Sequence, residues 1–346
     1  MACVWPPEFT RATRPAQCGP IPQRCWKERA IVITRVLPLA CVLLLHLVPS
    51  ALGQTITPPE GYPAPGQPTR LVLLSNGTEP RRLLRYSVPP DYKAHMNMDL
   101  KMQLAMSVGD MRMPAPAMPA MHFGVDLTAR PVSDDGDMEV SLTYTGVNVD
   151  APGAISAQQL AAINDDLRAV RGTFTVSNRG FYRDVRIDTS SVSDPQLRQS
   201  MDSMVNNLGA SVLPEEPVGV GSRWELRMAM AANGLTMFQK MTVEAVAVDA
   251  TSLTTRLTIE QTAPAQDFAM PQASSGAPAL PPGMHATAES ISGSGEGRAV
   301  IPFNGLVPTS DVSARSTMIM RVSAPNLGEQ RMGIENTVNV QVSPGK

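Results

Sequence analysis

From Met96 to Val108 the chain alternates with a period of two. Met96, Met98, Leu100, Met102, Leu104, Met106 and Val108 are apolar, and Asn97, Asp99, Lys101, Gln103, Ala105 and Ser107 between them are polar or small. Successive side chains of a strand point to opposite faces, so this stretch predicts a strand with one apolar and one polar face. At ~3.3 Å per residue it runs about 40 Å, long for a globular protein. The same alternation returns in Met121, Phe123, Val125, Leu127 and in Met138, Val140, Leu142, Tyr144. Further on it recurs in Leu226, Met228, Met230, in Leu253, Thr255, Leu257, Ile259, and in Met318, Met320, Val322. The last run is Met332, Ile334, Asn336, Val338, Val340, Val342. Each predicts a half-buried antiparallel strand, and about nine to eleven are expected in all.

Two segments follow a helical period instead. Ser156-x-x-Gln159 is a capping box, and Leu160, Ile163, Leu167 and Val170 continue one apolar face behind it. Asp194-Pro195 is an N-cap acid followed by proline at the first helical position. Behind it, Leu197, Met201, Met204, Val205 and Leu208 share a face, and Gly209 supplies a stop. Between the helices Asn178-Arg179-Gly180 predicts a turn joining two strands. The expected fold is mainly β (α+β), one domain over residues 71–342. Its strongly curved antiparallel sheet, a half-barrel, carries the two amphipathic helices on its concave face.

The ends and low-complexity stretches change that picture. Val36 to Val48 is a short apolar run behind Arg24, Lys27, Arg29 and Arg35, followed by Pro49 and the small residues Ala51 and Gly53. That pattern predicts a leader and signal peptide over residues 1–53, cut between Gly53 and Gln54, and hence export to the periplasm or beyond. The alternative is an uncleaved N-terminal membrane anchor, in which Arg35 would lie within the span. All four cysteines precede the cut, so the exported chain has neither disulfide nor thiolate ligand. Removing the leader's six basic and two acidic residues takes the formal charge from −2 to −6. A near-neutral or acidic chain without a basic stripe excludes a nucleic-acid binder. Residues 54–70 read as a Pro-rich linker, and the Pro/Ala/Ser/Gly-rich stretch at about 264–283 as a disordered loop.

The Met-rich strand, the turn Asn178-Arg179-Gly180, the segment from Leu213 through Pro214, Pro217, Val220 and Gly221 to Trp224, and Ser292-Gly293-Ser294-Gly295-Glu296-Gly297 together resemble an uncharacterised family of bacterial exported proteins, a domain of unknown function. That family implies location and fold and transfers no catalytic residue. The expected topology is also similar to the lipoprotein-carrier half-barrel, which implies a cavity sheltering acyl chains.

Candidate chemistry is sparse. The chain after the cut holds 20 of the 21 methionines, eight of them between Met96 and Met121. An unbranched, polarizable thioether repacks around irregular apolar ligands, whereas the bland reading is packing against the protein's own helices. The candidate ligand face comprises Met96, Met98, Leu100, Met102, Leu104, Met106, Met121, Phe123, Met228 and Met230 on strands, with Met201 and Met204 on the second helix. Its expected ligand is a lipid or acyl chain, without a cofactor, and a membrane surface or envelope protein is the expected partner. The alternative function is a structural or interaction protein of the envelope with a closed core. A third is Cu(I) binding through Met111, Met113 and Met118 with His95 and His122 nearby. No nucleophile elbow, phosphate loop or acid/base spacing points to an enzyme. Ser292 to Gly297 reads as a bent strand entry, where glycine admits close backbone approach, and Trp224 as a core anchor.

Overall fold

The computed structural model describes residues 56–109, 111–113, 118–150, 156–192, 212–232, 235–268, 285–324 and 328–345. Fourteen strands form one antiparallel sheet that is not closed. In chain order they are β1 (Arg70–Ser75), β2 (Tyr92–Val108), β3 (Met111–Met113), β4 (Met121–Pro131), β5 (Met138–Val149), β6 (Arg171–Val176), β7 (Tyr182–Asp188), β8 (Arg223–Ala232), β9 (Leu235–Val248), β10 (Ser252–Ala263), β11 (Gln266–Phe268), β12 (His285–Pro302), β13 (Thr309–Ala324) and β14 (Gly328–Pro344). The lateral order is β1-β8-β9-β10-β12-β13-β14-β2-β4-β5-β6-β7, with β3 beside β2 and β11 beside β12. The last strand of the chain thus zips onto β2, from Met332 opposite Val108 to Pro344 opposite Met96.

One helix lies among the described residues, α1 (Ala157–Ala169). It starts where the capping box predicts: the Ser156 hydroxyl accepts the Gln159 amide at 3.2 Å, and Gln159 Oε1 accepts the Ser156 amide at 3.1 Å. The expected second helix, with Met201 and Met204, lies outside the described residues, so a two-helix cover is not supported. α1 also does more than lie on a face. β6 pairs with β5 only over Met138–Thr143, leaving the rest of that edge open. The side-chain amide of Asn164 closes it like a strand. Val147 N–H donates to Asn164 Oδ1 at 2.7 Å, Asn164 Nδ2 donates to Val147 O at 2.9 Å, and Arg168 Nε donates to Thr145 O at 2.9 Å. Such an edge would otherwise offer free backbone groups to another chain. Gln266 repeats the device on β9, accepting the Thr236 amide at 2.7 Å and donating to its carbonyl at 2.8 Å.

The two ends of the strand order are tied by loops rather than by a ladder. Tyr86 N–H donates to Asn178 O and Leu213 N–H to Arg179 O, both at 2.8 Å, so the predicted turn between β6 and β7 is held by segments leading to β2 and β8. Trp224, 1% exposed, donates its indole N–H to Val212 O at 3.1 Å, and Arg82 and Val218 exchange backbone bonds. Arg85 donates to the carbonyls of Leu84, Pro214 and Glu215. Burial, then the neighbouring Arg179 charge, lowers its pKa from the usual guanidinium value. A Cβ on Gly219 would sit 1.9 Å from Thr78 O, so the close approach of these segments requires glycine there. The main core gathers at this clasp. It unites Val125, Val140 and Tyr144 of β4 and β5 with Trp224, Leu226 and Val243 of β8 and β9, and Leu167 of α1 joins it.

The stretch read as a linker carries an anchor. The Tyr62 ring meets Phe238 edge-on at 5.5 Å on the polar side of β9, under the Arg227 guanidinium, which explains why Phe238 is only 1% exposed. At the stretch expected as a disordered loop, residues 266–268 form β11 on β12, and residues 269–284 lie outside the described residues.

Candidate functional site: the methionine face

Register converts the alternation of single strands into rows across one face. Leu226, Met241, Ile259, Gly295, Ala314, Val338 and Met102 are successive cross-strand partners from β8 to β2. This row and those toward the clasp are apolar or small apart from Thr255 and Ser310. Two residues further from the clasp on every strand, the row reads Met228, Gln239, Gln261, Gly293, Ser316, Asn336 and Leu104. Its middle is polar. Beyond it lie Met230 opposite Met237, and the chain Ile291, Met318, Ile334, Met106 and Met113. A last row follows with Met320, Met332, Val108 and Met111.

Eight methionines therefore occupy the two rows at the end remote from the clasp: Met106, Met111, Met113, Met230, Met237, Met318, Met320 and Met332. Two small clusters hold part of this end together, Leu235, Ala288 and Ile291 with Met237 and Met318, and Ala286, Met320 and Val322 with Met332 and Ile334. The outermost thioethers face water, with Met111 73% and Met113 46% exposed. Met237, Met318, Met320 and Met332 were absent from the expected site. Their alternation was visible in the sequence for β13 and β14, but only register shows that Met318 shares a level with Met106, and Met320 and Met332 the next one, with Val108.

The expected site residues divide between the two ends. Met96, Met121 and Phe123 pack against the main core, and Met98 and Leu100 lie half-buried opposite Phe123 and Met121. Met102 and Leu104 are buried, 8% and 7% exposed, Met106 is half-buried at the methionine end, and Met228 is buried beside half-buried Met230. Six strand steps separate β8 from β2, so pairing does not bring Met228 and Met230 to the β2 residues. Met201, Met204, Gly53 and Gln54 lie outside the described residues.

The histidines are on the opposite, polar face. His95 Nδ1 is 2.6 Å from Asp126 Oδ1. His122 is bracketed, with Nδ1 2.6 Å from Asp99 Oδ1 and Nε2 2.8 Å from Asp150 Oδ1. Hydrogen bonds to the two carboxylates, that to Asp99 the stronger, raise its pKa above the ordinary 6.5. Engaged through both ring nitrogens, His122 is a cross-strand staple. Sequence pairing missed it because Asp99, His122 and Asp150 meet only through the β2–β4 ladder and the end of β5. Within the copper set, Met111 and Met113 lie on the same face as Met106, and the imidazoles of His95 and His122 on the other. Among the described residues no group of three His, Cys, Asp or Glu is arranged to hold a metal ion.

Two surface hollows lie near the clasp. One of about 420 Å³ is lined by Asp91, Tyr92, Arg130 and Glu139, the other of about 500 Å³ by Lys93, His95, Asn304 and Pro344. No methionine lines either. Comparison with known family models, curated proteins and solved structures finds no match for this chain.

Proposed function

We propose that the protein is an exported, non-enzymatic binding or carrier module that holds an apolar ligand, such as an acyl chain or lipid, against the methionine face of a half-barrel. The observation that carries this reading is the gathering of eight methionines in two adjacent rows at the unclasped end. Leucine or valine would suffice for a fixed core. Repeated use of the most deformable apolar side chain suits a surface that accommodates irregular apolar shapes.

Curvature toward this face is supported by close approach at β12. A Cβ on Gly295 would lie 2.9 Å from that of Ala314, whereas paired strands ordinarily keep ~4.5–5.5 Å between facing Cβ atoms. Alternate glycines thus let the sheet bend over its apolar side, and the loop clasp holds its two margins together. Export rests on the signal-peptide pattern ending at Gly53. The structural reading, a closed core in an envelope protein, draws on the burial of Met102 and Leu104.

Native mass spectrometry of the protein purified from the bacterial envelope tests the choice. The carrier reading expects a lipid-sized adduct that is lost at higher collision energy, and a clean apo mass favours the closed core.

A further inference from the structure

Between the clasped core and the methionine end, the row Gln239, Gln261, Gly293, Ser316 and Asn336 crosses five strands as a polar band in an otherwise apolar face. The apolar neighbours above and below each strand position make this departure specific. On β14 it is Asn336 between Ile334 and Val338, and on β10 Gln261 between Ile259 and Ala263. The two glutamines satisfy each other in part, with Gln261 Nε2 donating to Gln239 Oε1 at 2.7 Å. Gln261 lies over Gly293, where a Cβ would come within 2.8 Å of its Oε1, so the glycine makes room for the amide. At the other end of the band Asn336 Oδ1 is buried and accepts no hydrogen bond. A buried acceptor without a donor is destabilising, and native structures leave few of them.

We propose that this band recognises a hydrogen-bond donor carried within an apolar chain, a hydroxyl or an amide N–H, which donates to Asn336 Oδ1 once the flexible side chains around that buried atom part to admit the chain along the methionine face. The orphan group is an acceptor, so the ligand must donate. An ionised carboxylate only accepts, and it would bring an unpaired charge into an apolar site. The preferred ligand is therefore a hydroxylated or amide-linked acyl chain rather than a plain one. This inference rests on the carrier reading above.

The test uses the purified full exported chain and three chain-matched probes in a fluorescent-probe displacement assay: methyl myristate, its beta-hydroxy derivative and N-methylmyristamide. The wild type is expected to bind at least one donor-bearing probe about tenfold more tightly than methyl myristate, since a site with a polar group disfavours the analogue that leaves it unpaired. Asn336→Leu is expected to reduce that ratio to about one, and the ratio, not the absolute affinity for methyl myristate, is the readout. The arm that shows the preference identifies hydroxyl or amide. If all three probes bind equally to the wild type, or if Asn336→Leu keeps the preference, the band proposal is overturned and the carrier reading stands. If none binds, the carrier reading falls and the band with it. The wild-type comparison decides the matter by itself should Asn336→Leu fail to fold.

Discussion

The clasped end and the methionine end belong to the same long strands, yet they are built by different rules. At the clasp, rigid shapes are locked by polar ties: Trp224 is sealed under Val212, Arg85 caps three carbonyls, and Asn164 completes the open edge of β5. At the other end the side chains are unbranched and flexible, the apolar clusters are small, and the outermost residues face water. The main apolar core lies at one end, and the other holds only small clusters. A pliable surface can exist only where something else holds the sheet together, since stability is distributed unevenly within a fold.

Mutations sharpen or break this contrast. The largest effect is expected from Trp224→Ala, which opens a cavity in the clasp and removes an indole hydrogen bond. A loss of about 3–5 kcal/mol in urea unfolding is expected. A matched pair comes next. Met241→Ala, in the main core, should cost about 2–5 kcal/mol, whereas Met113→Ala at the exposed end should fall within about 0.5 kcal/mol. Equal costs at the two sites would erase the distinction. Asn164→Leu keeps the volume but strips two bonds from the β5 backbone, and about 1–3 kcal/mol is expected, with a rise in sedimenting aggregates from the opened edge. The smallest effect is that of His122. Its pKa is raised on folding, so its bonds to Asp99 and Asp150 contribute fully below pH 6.5, and the contribution disappears as pH climbs through the raised value. Melting temperature measured upward from pH 6.5 should therefore fall more in the wild type than in His122→Gln. Parallel curves would show that the bracket adds nothing, and since the imidazole is partly exposed the difference will be modest.

What the sequence revealed follows the range of the forces involved. β2 was legible because its polar face meets water along its whole length, and α1 because a capping box is a local event. β9 was not, because Phe238 is buried on the polar side under Tyr62 while Met241 and Val243 are buried on the other, so its alternation is blurred. Edge closure by Asn164 depends on an unfilled ladder some seventeen residues away, which no local pattern announces. For the candidate site, the methionine richness of β2 was plain. Its gathering with Met318 and Met332 is a matter of register between residues more than 200 positions apart in sequence. Asn336 stood in view as a polar intruder in an apolar run, but its alignment with Ser316, Gln261 and Gln239 exists only in the sheet.

Methyl NMR of the methionine-labelled protein, titrated with the beta-hydroxy ester of myristic acid, tests the division of labour most directly. Shifts concentrated at Met106, Met113, Met318 and Met332, with Met138 and Met241 unmoved, are the result predicted here. Unmoved spectra throughout, or shifts confined to the clasped core, would contradict a ligand-receiving methionine end.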